Sequence, residues 1–386
     1  MVLDPFCGSG TLLVEAVIRN IRATGLDADP LAAFIADAKL TRVEPKALSS
    51  AFESIIRRVE RLTAHRHYDR LARRDISARQ YEAELEGINF SIPAIPRLHH
   101  WFRRYVTIDL AIIKRAILRS RCDEQTKKVA MLCFASIIRG SSNADPVPVS
   151  GLEYTAHMRR LDEQGRVVNP LALLKRKFIT ALAAYSSYFN LTPPTLSYFC
   201  KVQDARTLDS SSLIAPPDVI VTSPPYVGAV DYYRRHQLEM YWLDLVSSQK
   251  ERESLIERYI GRPKVYGATV GVSQIASVTA HGFVEQHLKE NPSAMRSLLH
   301  YSESMRSVFQ RLHVISAPHA RAILVVGRGR LRGIPLPIEA IFREAASQYF
   351  RLTTVESFVT SNRYMSYSRH NGADIRQELV LCFERV

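Results

Sequence analysis

The chain of 386 residues holds 52 Lys and Arg against 38 Asp and Glu, a formal net charge of +14, and 46% apolar residues. That length favours two domains, the apolar share is that of a globular core, and no run of about 18 uncharged apolar residues offers a membrane span. Five scattered cysteines (Cys7, Cys122, Cys133, Cys200, Cys382) form no CxxC pair, so neither a disulfide framework nor a metal site is favoured and a reducing cytoplasm fits.

The amino terminus, "MVLDPFCGSG", lacks the basic stretch and long apolar core of a secretory signal. Residues 1–44 read as strand ("MVLD"), glycine turn ("FCGSGT"), helix ("LLVEAVIRN"), strand ("RATGLD") and helix ("PLAAFIADAKL"), with Pro30 at a first helical position. Residues 45–195 change character. Arg-rich amphipathic runs ("AFESIIRRVERLTAHRHYDRLARR", "TIDLAIIKRAILRSR", "TKKVAMLCFASIIRG") are separated by proline breaks, which predicts a mostly helical insertion. This segment holds 25 basic and 14 acidic residues, +11 of the net +14, so the charge that suits a polyanionic partner is concentrated there.

From Leu196 the strand–helix rhythm returns. "LSYFCKVQDARTL", "DVIVTSPPY" and "HARAILVVGRG" predict strands, "YSESMRSVFQRLHVI" and "IEAIFREAASQYF" helices, and "RLTTVESFV" and "QELVLCFERV" two closing strands that pair antiparallel. The alternation predicts an α/β fold with a mostly parallel sheet covered on both faces.

Chemistry is concentrated at four strand ends. Gly8 and Gly10 lie in a strand-to-helix turn, where missing side chains let backbone approach a ligand and the helix start aims at it. Asp27, about twenty residues on at the next strand end, is placed to accept from ribose hydroxyls, and Asp204 from an adenine amine. Thr11-Leu12-Leu13 follow Gly10 where a dinucleotide fingerprint has its third glycine, which disfavours NAD and favours another adenosine-containing ligand. In "TSPPY", two prolines fix φ and remove donors, holding the Ser223 and Pro224 carbonyls outward as acceptors. Ser223 adds a side-chain acceptor and Tyr226 an aromatic face. Together they suit a planar base with an exocyclic amine.

The combination "DPFCGSGT", "GLDADP", "VQDARTL", "TSPPY" resembles the cofactor, ribose, adenine and catalytic motifs of S-adenosylmethionine-dependent DNA amino-methyltransferases, over about residues 1–44 and 196–386. The resemblance implies a Rossmann-like methyltransferase sheet, mostly parallel with an antiparallel last strand, and a mainly helical insertion domain at 45–195. By it Asp4, Phe6, Gly8, Gly10, Thr11, Asp27 and Asp204 contact S-adenosyl-L-methionine. Ser223, Pro224, Pro225 and Tyr226 hold a base flipped from double-stranded DNA. Methyl transfer is direct, with no covalent enzyme intermediate. Serine before Pro-Pro-Tyr implies cytosine N4; adenine N6 and an RNA amine are the alternatives, and a catalytically silent DNA-binding subunit is a further one. Carbon-5 chemistry would need a Pro-Cys pair, which is missing, and Cys7 lies in the cofactor turn.

Two features depart from that pattern. The helix that usually precedes the cofactor motif in the resembled family has no counterpart ahead of Val2, so either the sequence starts too late, or another segment, a second copy or a companion subunit supplies that wall. The basic insertion also sits between the ribose and adenine motifs, which makes 45–195 a candidate DNA-contacting region, with 247–296 a second. The pairs His65/His67 and His99/His100 read as surface or packing, and Trp101-Phe102 as a core anchor. "SSNADPVPVSGLEYT" reads as a lid or an interhelical loop. "SNRYMSYSRHNG", with Arg363 and Arg369, reads as a flank of the base pocket or a hairpin loop.

Overall fold

The structure, a computed structural model, describes residues 1–88, 92–146, 152–195, 197–227, 232–262, 265, 277–359 and 377–386. The chain divides into two compact units, one formed by Met1–Asp37, Thr195–Tyr233 and Leu255–Val386, the other by Ala38–Pro194 and Arg234–Ser254.

The first unit is built on a seven-stranded sheet of order β3-β2-β1-β4-β5-β9-β8. Its strands are β1 (Val2–Asp4), β2 (Ala23–Asp27), β3 (Tyr198–Val202), β4 (Val219–Thr222), β5 (Arg321–Gly327), β8 (Phe350–Val359) and β9 (Gln377–Arg385). β1 to β5 are mutually parallel, while β9 runs antiparallel to both β5 and β8. This is the Rossmann-like methyltransferase sheet, and the strands expected from the sequence are present. A ribbon of β6 (Arg330–Leu331) and β7 (Ile334–Pro335) was not foreseen, because two-residue strands carry no periodicity.

The order matters for function. From β1 the chain steps outward to β2 and β3, then returns to place β4 on the other side of β1. The direction of winding therefore reverses between β1 and β4, and the loops leaving their carboxyl ends diverge to open a crevice, the usual ligand position in such sheets. One face is closed by the helices Pro292–Ile315 and Ile338–Ala346. The first begins with Pro292 and an Asn291 side chain accepting from the Ala294 N–H, then buries Leu298, Tyr301, Met305, Val308 and Leu312 at helical spacing. Its Phe309 sits among Phe342, Phe350 and Phe383, each fully buried and worth about 1.5–3 kcal/mol.

The second unit is helical in its described residues. Its centre is the helix Arg104–Leu118, buried nearly all round, against which Pro45–Thr63, Glu124–Ser141 and Pro170–Leu191 pack. Apolar packing includes the stacked pair Phe52 and Phe178, 3.8 Å between centroids. Trp242, fully buried, meets Phe102 and Phe134 edge-on, which joins residues 234–254 to this unit. The long amphipathic run after Ala51 is broken between Thr63 and Tyr68. There Arg66 turns inward, donating to Asp109 at 2.9 Å and to both oxygens of Glu84. Among the described residues no helix is long and apolar enough to cross a membrane.

Candidate active site

Four neighbouring strands, β3, β2, β1 and β4, deliver the expected residues to one edge of the sheet. At the end of β1, Asp4 is buried. Its Oδ1 accepts from the Phe6 N–H (3.1 Å) and from the Thr222 hydroxyl (2.6 Å) at the end of β4. Burial pushes its carboxyl up to about 7, against the lowering effect of those two bonds, and the nearby charge of Asp27 adds to the rise. The Asp4–Thr222 bond ties the glycine-turn loop to the Pro-Pro-Tyr loop across the point where the winding reverses.

The glycine turn is locked from β2. Gly8 donates to Asp27 Oδ2 at 2.9 Å, and Cys7 donates to the Leu26 carbonyl at 2.9 Å. Both glycines adopt left-handed conformations, φ +50° at Gly8 and +77° at Gly10. Their reasons differ. A Cβ on Gly10 would lie 2.8 Å from the Cβ of Ala36, so two helices pack backbone to backbone there. A Cβ on Gly8 would meet nothing within 4 Å, which leaves room for a ligand over the turn. The close helix–strand approach that a third glycine provides in dinucleotide folds comes here from Gly25 on β2, where a Cβ would stand 2.2 Å from Leu13 Cδ1. Thr11 opens the helix Thr11–Ile18 and is exposed, and Phe6 is half-buried.

Asp27 Oδ1 accepts from the Asp29 N–H at 2.8 Å, and Asp29 in turn caps the helix Pro30–Leu40 by accepting from Leu31 and Ala32. Asp204, beyond β3, is engaged by Arg206, whose side chain bonds both carboxylate oxygens, the shortest at 2.7 Å. An adenine amine at Asp204 would share that carboxylate with Arg206.

The Pro-Pro-Tyr loop follows β4. Ser223 is exposed, Pro224 buried, Pro225 and Tyr226 half-buried. Glu378, at the start of β9, accepts from the Tyr226 hydroxyl at 3.2 Å, and Ser223 Oγ lies 3.4 Å from the same oxygen. Burial pushes the phenol up to about 12, so the ring carries a neutral hydroxyl with a fixed direction. Cys7 is a poor nucleophile, its thiol raised by a hydrogen bond with Cys200 and by burial.

A segment within 247–296, read from sequence only as a second candidate DNA-contacting stretch, draws these loops together. In 255–262, Tyr259 donates to Asp29 Oδ2 (3.1 Å) and the Glu257 carbonyl accepts from Arg206 (2.5 Å). Gly261, φ +78°, lies so close that a Cβ would stand 2.9 Å from the Tyr226 carbonyl oxygen. Thr222, Gly25, Tyr259, Gly261 and Glu378 were all missed from sequence. Only Thr222 left a local signal, a polar residue closing the apolar run "DVIV". Arg363 and Arg369, residues 147–151 of the lid-or-loop stretch, and most of 263–276 lie outside the described residues.

Over 367 residues, 90% of its length, the chain is 24% identical to the Type II methyltransferase M.MvaI of Kocuria varians, and it spans 74% of that protein. It is 22% identical over 306 residues to the Type II methyltransferase M.MjaII of Methanocaldococcus jannaschii, covering 61% of this chain and 56%, just over half, of that one. No family model and no solved structure matches. A Rossmann-like methyltransferase fold and a modest similarity to Type II methyltransferases along nine-tenths of the chain thus meet in one molecule.

Proposed function

We propose that this chain transfers a methyl group from S-adenosylmethionine to an exocyclic amine of DNA, with cytosine N4 as the acceptor, in a site-specific restriction-modification role. The observation that carries the reading is the junction of the glycine-turn loop and the Pro-Pro-Tyr loop on adjacent parallel strands, tied by the 2.6 Å Thr222–Asp4 bond. Its similarity to two Type II methyltransferases supports the same class of reaction.

The residues present fit the cofactor. Open space over Gly8 admits a ligand against backbone, Phe6, Gly10 and Thr11 border it, and Asp27, already holding the turn, faces where ribose hydroxyls would lie. Asp204, beyond β3, would accept from the adenine amine. S-adenosylmethionine, when bound, supplies an electrophilic methyl group on a sulfonium.

The chain's own residues position the acceptor. The Ser223 and Pro224 carbonyls, kept free of neighbouring proline N–H groups, accept the amine's hydrogens and hold its nitrogen lone pair out of conjugation with the ring. Tyr226, its hydroxyl bonded to Glu378, offers one face for stacking, which offsets part of the cost of taking a base out of the duplex. Rate enhancement then comes from alignment and from dipoles aimed at the developing ammonium.

The test is to incubate purified protein with S-adenosylmethionine and unmethylated bacterial DNA, digest to nucleosides and identify the product by mass spectrometry. N4-methylcytosine is expected, and Tyr226→Ala should lower the rate of its formation by about five- to 150-fold, since base–aromatic stacking is worth about 1–3 kcal/mol. N6-methyladenine would keep the mechanism and overturn the base assignment. Methylation of RNA alone would overturn the substrate.

A further inference from the structure

Beyond the catalytic loop, the same edge of the sheet continues at β5, which ends in the arginine-rich turn Arg328-Gly329-Arg330-Leu331-Arg332. This turn, the ribbon of β6 and β7 and the start of the helix Ile338–Ala346 enclose a cavity of about 940 Å³. Buried Leu336 and Ile338 form part of its lining, and exposed Arg328, Arg330 and Arg343 are cationic members of it. The cavity and the Pro-Pro-Tyr loop share this edge of the sheet from opposite faces: Gln377 lines the cavity, while Glu378, the following residue on β9, points to the other face and accepts from the Tyr226 hydroxyl.

Two of these arginines are poorly committed within the protein. Arg330 donates to the Gly333 carbonyl at 2.8 Å, and Arg343 pairs with Glu339 on the same helix while remaining 60% exposed. An exposed pair of that kind is worth at most about 1 kcal/mol, so a phosphate can displace it at little cost. The other lining carboxylate, Glu344, accepts from Ser277 and Thr279. A cavity of this size, part apolar and part cationic, suits a nucleotide better than a lone anion. Two strand spacings separate β4 from β9, about 10 Å, which corresponds to about three nucleotide rises along one strand.

We propose that this cavity receives a nucleotide of the DNA flanking the flipped target, its phosphate on Arg330 and Arg343 and its sugar and base against Leu336 and Ile338. The inference rests on the DNA-methylation reading above and extends it to a second contact on the catalytic unit. It places a backbone contact outside the basic helical segment where most of the net charge lies.

The experiment compares wild type, Arg330→Gln/Arg343→Gln and Arg330→Lys/Arg343→Lys. Affinity for duplex DNA is measured by fluorescence anisotropy between about 50 and 200 mM salt, with S-adenosylmethionine affinity read in parallel by calorimetry. In the Gln variant the slope of log affinity against log salt should fall by roughly one, with weaker binding at every salt and cofactor affinity unchanged. The Lys variant should keep the wild-type slope. Either single Gln substitution should give about half the change, which keeps the test open if the double variant folds poorly. A wild-type protein that binds and methylates DNA while the Gln variants keep its slope overturns this inference and leaves the methylation reading standing. A wild-type protein that neither binds nor methylates DNA overturns both, as does binding of RNA alone.

Discussion

Asp4 shows how one side chain joins the cofactor loop to the chemistry beside it. Its carboxyl is buried, with Thr222 and Phe6 donating to the same oxygen, and burial holds it at about 7, well above the ordinary carboxylate value of 3.8. The folded chain therefore keeps a proton that the unfolded chain gives up between about pH 4 and pH 7. The stability linked to that proton is complete below about pH 4 and is lost as pH rises through 7. Asp4→Asn removes this dependence, so its melting temperature relative to wild type should become steadily more favourable from pH 5 to pH 8. A difference that stays constant across that range would contradict the burial argument. Asp4 was legible as a strand-end residue because its motif is local. Its partner was not, because Thr222 lies 218 positions away and meets it only through the register of β1 on β4. The glycines divide the same way: a turn needing Gly8 and Gly10 could be read from spacing, whereas the contact of Gly10 with Ala36 required the packed helices.

At the scale of elements, the strands and helices were legible because each carries its own period or cap, and a mostly parallel sheet followed from their alternation. The segment 255–262 was not, since its role lies entirely in contacts with loops distant in sequence. Tyr259 holds the loop after β2 through Asp29, and Gly261 holds the loop after β4 through the Tyr226 backbone. The two contacts should separate kinetically. Tyr259→Phe removes one hydrogen bond worth about 0.5–1.5 kcal/mol beside the ribose loop, and should raise the KM for S-adenosylmethionine roughly two- to tenfold with little change in kcat. Gly261→Ala forces a methyl group against the Tyr226 carbonyl and a side chain into a left-handed conformation that costs about 1–2 kcal/mol. It should lower kcat with a smaller effect on that KM. Equal effects of both substitutions on both constants would mean that 255–262 acts only as general packing. Steady-state rates with the cofactor varied decide between the two.

For the whole molecule the question is where its charge acts. Residues 45–195 hold +11 of the net +14, yet part of that charge is occupied internally. Arg66 is buried between Asp109 and Glu84, and Arg103 and Arg166 share Asp162, with Arg103 only 12% exposed. Arg103 is thus a structural residue. Replacing it with Gln should lower the melting temperature of the helical unit, because Tyr154 and Arg166 would be left to satisfy Asp162. Arg70, Arg73 and Arg74 differ: they stand exposed on and just after the helix Tyr68–Arg73. If this unit meets a nucleic-acid backbone, these are side chains that can reach it. Their joint replacement by Gln should reduce the salt slope of DNA binding by up to about three and leave the melting temperature near wild type. The opposite result, an unchanged slope in a stable variant, would make the basic excess of the helical unit a solvated surface. Backbone contact would then fall to the unit that carries the seven-stranded sheet, where Arg330 and Arg343 stand exposed.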